Sequence, residues 1–212
     1  VAYIASAFTA GQTLTAASME QLRENNNYGH NVYTTEAARD AAITSPVEGM
    51  MAYLTAPTVP AATGDTTAVP TGITTIYNGS AWVCVTPVAS YTSATGTTTS
   101  TSFTASLSGS PGTNTSVTVT TGTTALVVVT CELWNNTGGN GSIASVAISG
   151  ATTVAAADAL GASNAITTAV GSSRTYVATG LTAGSNTFTM QYRVGGSTGN
   201  FRYRSLVVQG IA

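Results

Sequence analysis

Asn186-Thr-Phe-Thr-Met-Gln-Tyr-Arg193 places Phe188, Met190 and Tyr192 at alternate positions with Thr187, Thr189 and Gln191 between them. That is the period of a strand with one face in a core and the other in water. The run Arg202–Gln209 repeats the habit, with Phe201, Tyr203 and Ser205 assigned to one face. Working back from these two, short β-branched runs recur at Ser102–Ser108, Thr115–Thr120, Ala125–Leu133, Ile143–Ser149, Ala165–Ala169 and Arg174–Thr179. Ser110-Pro-Gly112, Asn135–Gly141, Thr182–Ser185 and Gly195–Gly199 punctuate them. About eight strands with turn signals every 8–12 residues predict a β-sandwich over residues 101–212, in its eight-stranded form a jelly roll. Threonine, both β-branched and polar, suits the outward positions without adding charge.

The preceding residues read differently. Residues 1–13 suggest an extended arm, and Thr15 can cap a helix whose thin apolar stripe holds Met19 and Leu22. A helix with so narrow a face needs something to dock on. Thr35 caps a second short helix, with Glu36 in its first turn and Pro46 ending it. Met50–Leu54 and Ile73–Tyr77 read as strands, and Asn78-Gly79 before Ala81-Trp-Val83 predicts a tight two-residue hairpin turn, completing a three-stranded meander. Thr55–Gly72 reads as a long exposed loop or arm, and the Ser/Thr-rich residues 89–100 as a linker. The fold class is therefore mainly β, with a small α+β region over residues 1–88 followed by the sandwich.

Composition narrows function. Eight acids, six arginines and one histidine give a net charge of −2, so the basic footprint of a nucleic-acid binder is missing. The longest apolar run, Ala125–Val129, is far short of the roughly 20 residues of a spanning helix, and no membrane partner is expected. Val1–Ile4 lacks the basic start of a signal peptide, so export by that route is not expected. Cys84 and Cys131 read as buried thiols, with one disulfide as the alternative. His30 has no evident carboxylate partner, and no nucleophile elbow, zinc-ligand spacing or phosphate-cradling glycine pattern is present. Glu132 and Asp158 are the sandwich's only carboxylates, and Glu132 is expected to meet an arginine or solvent rather than form a glycosidase pair. No catalytic residue, cofactor or metal is assigned. Trp82, Trp134, Tyr192, Phe201 and Tyr203 are candidates for lining a carbohydrate or protein surface, with core packing as the plainer assignment. Arg202 and Arg204, two apart, are expected on one face of their strand, where they would pair with Glu132 or with an acid of a neighbouring subunit.

Arg39-Asp-Ala-Ala-Ile-Thr-Ser-Pro-Val-Glu-Gly-Met-Met-Ala-Tyr-Leu54, followed by Ile76-Tyr-Asn-Gly-Ser-Ala-Trp-Val83, resembles a segment of structural proteins of tailed bacteriophages, especially those of actinobacteria. Phe8–Met19 is similar to the N-terminal arms of such proteins, and residues 101–212 share the character of their sandwich modules. The resemblance implies a homotrimeric virion-surface protein assembled in the host cytoplasm, a capsid decoration or minor capsid protein clamping neighbouring major capsid subunits. A tail-fibre or minor tail protein holding a host-surface glycan is the alternative. On this reading Met19, Leu22, Met50, Met51, Tyr53, Leu54, Tyr77 and Trp82 supply the anchoring surface, and Glu132, Arg202 and Arg204 a subunit contact.

Overall fold

A computed structural model describes residues 15–16 and 31–211. The expected arm, the first helix with Met19 and Leu22, and His30 lie outside the described residues.

A small α+β unit comes first. Strand β1 (Asn31–Tyr33) leads into helix α1 (Glu36–Ala42), followed by β2 (Met51–Leu54), β5 (Ile73–Tyr77) and β6 (Trp82–Cys84). Thr35 caps α1 as its sequence predicts, the hydroxyl accepting from the Ala38 N–H at 3.2 Å. The sheet order is β1-β2-β5-β6, with β1 parallel to β2 and the rest antiparallel. The predicted meander is therefore four-stranded, because α1 returns the chain so that β1 can add to the edge. Tyr33, Ile43, Ala52, Leu54, Ile73, Trp82 and Cys84 form its core.

The Asn78-Gly79 turn is not the predicted two-residue type. Tyr77 pairs with Trp82, leaving four residues in the loop. Gly79 alone takes positive φ, at 91°. The Asn78 side-chain carbonyl accepts from the backbone N–H groups of Ser80 and Ala81 and from the Ser80 hydroxyl. The asparagine thus builds an Asx turn instead of adopting the left-handed conformation itself.

The remaining strands make a jelly-roll-like sandwich. One sheet runs β13 (Ala162–Asn164), β12 (Ser142–Gly150), β15 (Gly184–Val194), β10 (Ser116–Thr121), β3 (Ala61–Thr63). The other runs β14 (Val170–Thr179), β11 (Thr124–Asn135), β16 (Gly199–Ile211), β7 (Val88–Thr92), β4 (Thr66–Ala68), with β8 (Gly96–Thr98) and β9 (Ser108–Gly109) extending it beyond β16. Sequence neighbours face each other across the core: β3 over β4, β12 over β11, β15 over β16 and β13 over β14. The chain thus crosses between sheets at almost every turn, the coiled-hairpin course of a jelly roll.

Alternation decides which side chains enter. Along β11 every second residue from Ala125 to Asn135 is buried, and along β15 Phe188, Met190, Tyr192 and Val194 are fully buried. Outward hydroxyl side chains pair across strands, Ser116 with Thr189 at 3.1 Å and Thr118 with Thr187 at 2.9 Å. Cys84 and Cys131 are free and buried.

Several boundaries differ from the sequence reading. Thr55–Gly72 is no simple loop: its hairpin splits, β3 joining one sheet and β4 the other. Residues 89–100 are not a linker, because β7 pairs along β16 from Val88 to Thr92 and β8 pairs with Gly199–Phe201. Gly96 lies so close to Leu107 and Pro111 that a β-carbon there would meet each at 2.7 Å. Small residues in these stretches serve close backbone packing, which composition does not distinguish from flexibility. The sandwich therefore begins near residue 61, interleaved with the α+β unit, rather than at 101. Ala165–Ala169 forms no strand, and Ser102–Ser108 contributes only the bridge from Thr104 to Tyr192 and, at Ser108, the start of β9.

Candidate functional site

The anchoring residues separate into two groups. Leu54 is fully buried and Trp82 nearly so, its ring tilted against that of Tyr77 at 5.5 Å between centroids and covered by the Arg39 guanidinium at 4.6 Å. Met50 packs against the same core. These four side chains hold the α+β unit together and are not free for a partner, contrary to the expectation that they bury on assembly. The opposite face of the sheet differs. Met51 is 43% exposed and Val32 38%, and the register sets Val32 beside Tyr53 and Met51 beside Ile76. Val32 and Met51 reach solvent on this face, with Tyr53 and Ile76 half-buried beside them; Met51 and Tyr53 were legible in the sequence and Val32 and Ile76 were not.

A cavity of about 210 Å³ opens beside Arg39, bordered by Glu36, Asp40, Thr75, Trp82 and Cys84. Its polar groups are engaged. Arg39 donates to Asp40 at 2.8 Å and to Thr75 at 3.4 Å. Burial pushes the Glu36 carboxyl up, but N–H groups of Thr58 and Val59 and the Thr58 hydroxyl outweigh it and hold the group below the usual carboxylate value. Burial raises the Cys84 thiol, the opposite of what a nucleophile requires.

At the far end of β11 and β16 the two arginines part company. Thr130 pairs with Ser205 but Glu132 with Arg202, so β16 carries one extra residue across this step. Tyr203 absorbs it at φ 49°, a left-handed conformation rare for an aromatic residue. The bulge breaks the alternation on which the same-face expectation rested. Arg202 points outward and Arg204 inward, where it is fully buried. Arg204 donates to the Tyr192 hydroxyl at 3.3 Å and to the Pro111 carbonyl, and Tyr192 in turn donates to Asn114 at 2.8 Å. It is a core residue, so its assignment to a subunit contact is withdrawn.

Arg202 lies between aromatic rings, 5.4 Å from the Trp134 centroid and 5.1 Å from that of Tyr203. Its Nε donates to Glu132 Oε1 at 2.6 Å and its second terminal nitrogen meets the same oxygen at 2.5 Å. Glu132 therefore meets an arginine, as expected, and does so within one chain. Of the five aromatic candidates, Trp82, Tyr192 and Phe201 are core, while Trp134 and Tyr203 reach the surface. Nothing in the local sequence announces the bulge that turns Tyr203 outward.

The two loops singled out in the sequence meet beside this cluster. Asn135, fully buried, donates to the Gly196 carbonyl at 3.0 Å and accepts from the Thr137 N–H at 3.0 Å. Thr137 bonds Ser197, and Asn200 bonds Asn136 at 2.9 Å. Asp158, the other carboxylate weighed from the sequence, accepts from Arg193, which holds it below its usual value. Among the described residues no group of three or more His, Cys, Asp and Glu side chains is placed to hold a metal, and no helix is long and apolar enough to cross a membrane.

The architecture is thus that of a mainly β protein with a jelly-roll-like sandwich and a small α+β unit interleaved at its N-terminal side. No protein-family model matches the chain, and no curated protein matches it. Among solved structures, 57% of the chain is similar to 87% of the Eiger TNF from S. frugiperda, at 11% identity and a TM-score of 0.37. The same share is similar to 27% of the CBM22-1–GH10 modules of the Clostridium thermocellum xylanase 10B, at 12% identity and a TM-score of 0.29. A carbohydrate-binding module of Cellvibrio mixtus lichenase 5A is similar over 89% of its own chain, at 12% identity and a TM-score of 0.25.

Proposed function

We propose that the chain is a non-enzymatic structural protein of a tailed-bacteriophage virion, a homotrimeric capsid decoration or minor capsid protein that attaches through its N-terminal region and displays the sandwich outward. The observation that carries this reading is the apolar face of Val32, Met51, Tyr53 and Ile76. Met51, Tyr53 and Ile76 fall within the residues that carry the resemblance, with Val32 set beside Tyr53 by the register. These side chains are already more than half shielded, so burying the rest of each against a capsid subunit contributes less than the roughly 1.5–3 kcal/mol of a fully exposed side chain. For the trimer contact, the best-supported surface is β14. Five other edge strands, β1, β3, β4, β6 and β13, are three residues long, whereas β14 presents ten residues with Arg174 as their one charge.

The test is a Val32→Glu/Met51→Glu double variant mixed with particles stripped of the protein. Both side chains are already solvent-facing, so the melting temperature is expected to stay within a few degrees while particle binding is lost. Binding at the level of the unaltered chain contradicts the assignment of this face. The alternative, a tail protein that holds a host surface, is favoured by the gathering of loops 135–141 and 195–200 beside Trp134 and Tyr203. A copy number matching the capsid three-fold positions supports the first reading, and a handful per particle the second.

A further inference from the structure

We infer that Trp134, Glu132, Arg202 and Tyr203 form a binding site for a neutral saccharide on the outer face of the sandwich, an inference that stands whether the chain sits on a capsid, a tail or neither. Four observations converge. The first is Tyr203 itself, held at φ 49° and 45% exposed. A bulge that re-aims an aromatic side chain into solvent, where glycine would sit without strain, is a feature that recurs at ligand sites. The second is charge. Arg202 and Glu132 cancel, so the site offers no net attraction to a phosphate or carboxylate, yet hydrogen-bonding capacity remains. A guanidinium has five donors, and the two contacts that Arg202 makes with Glu132 both fall on Oε1. Adjacent hydroxyls of a pyranose can use such a donor–acceptor pair, while the C–H face of the ring packs on the indole or phenol.

Space is the third. Gly171 faces Glu132 across β14, and a β-carbon built there meets nothing within 4 Å. The surface beside the carboxylate is therefore open, and a ligand can reach it without displacing a side chain. The fourth is the rim. Asn135, Thr137, Ser197, Asn136 and Asn200 tie the two loops together, so the border is set before a ligand arrives. A peptide is the less favoured occupant. Both β11 and β16, which carry the four side chains, are interior strands, and the open edge nearby is that of β14, on the far side of Gly171 from Glu132, so a strand added there would lie one strand away from the aromatic pair. Recognition must come from side chains alone.

The two tryptophans provide the assay. In a ¹H–¹⁵N spectrum of the full chain the Trp134 indole reports the site, and the Trp82 indole, in the core of the α+β unit, serves as internal reference. Cellohexaose, maltohexaose, chitotetraose and decaproline are titrated separately into the millimolar range where single-module sugar affinities fall. The expected result is a saturable shift of the Trp134 signal with at least one saccharide, without movement of Trp82. Tyr203→Gly relieves the backbone while removing the ring, so it is expected to leave the melting temperature unchanged or raised and to weaken binding about tenfold or more. The inference is overturned if no saccharide moves Trp134, if decaproline alone does, or if Tyr203→Gly binds as tightly as the unaltered chain.

Discussion

Arg204 shows how much one residue's surroundings can reverse its reading. An arginine in an Arg-Tyr-Arg run reads as surface charge, yet it lies fully buried over the Tyr192 ring, at 5.5 Å, with the Cys131 thiol also in the core. Its Nε has no hydrogen-bond partner there, a cost offset by the Pro111 carbonyl and the Tyr192 hydroxyl. Burial pushes both Tyr192 and Cys131 up to about 12, from ordinary values of 10.0 and 9.0, against the opposing pull of Arg204. In the unfolded chain both ionise first. The stability they confer is therefore intact below pH 9, and is lost as pH rises from the ordinary values towards about 12. Within that window each group removes about 1.4 kcal/mol per pH unit. Chemical denaturation followed at about pH 8, 10 and 11 is expected to show a flat start and then a steep fall. A stability independent of pH up to about 11 would contradict the buried placement of these groups.

At the scale of elements, the sequence was most legible where one face is apolar and the other is not. Phe188, Met190 and Tyr192 announced β15, and the Thr35 cap announced α1, because each signal is local. It was least legible where small residues serve close packing. Ser90, fully part of β7, is buried and bonds the Thr63 carbonyl, and Gly96 admits Leu107. Neither residue differs in type from those of a flexible tether. The open β14 edge likewise follows from pairing order, which no stretch of sequence carries by itself. Val177, 49% exposed on that strand, gives a test of the proposed trimer contact. A lysine there adds charge to an edge that has little, and Val177→Lys is expected to lower the mass measured by light scattering from trimer towards monomer without loss of fold. An unchanged trimer would move the contact elsewhere.

For the whole molecule, the interleaving of the two parts matters more than either alone. The Gln209 side chain donates to the Val85 carbonyl at 2.7 Å, and Gly210 admits Val83 so closely that a β-carbon would sit 2.7 Å from it. Removing residues 1–88 would strip β3, β4 and most of the β6–β7 junction from the sandwich, so the sequence-derived boundary is not a place to cut. Division into an inward and an outward part is instead a matter of surfaces: an apolar face on Val32, Met51, Tyr53 and Ile76, and a Thr- and Ser-rich sandwich carrying Trp134 and Tyr203. Of the expected sites, Glu132 with Arg202 and the two loops were readable from residue type and turn chemistry. The Tyr203 bulge was not, since it depends on a slip in pairing with β11. The most direct measurement is an electron cryo-microscopy map of the intact particle. It is predicted to show trimers at the capsid three-fold positions, with the Val32–Met51 face against the shell and the end bearing loops 135–141 and 195–200 away from it. Trimers with the sandwich against the shell and the α+β unit in solvent, or particles without this chain, would contradict the account.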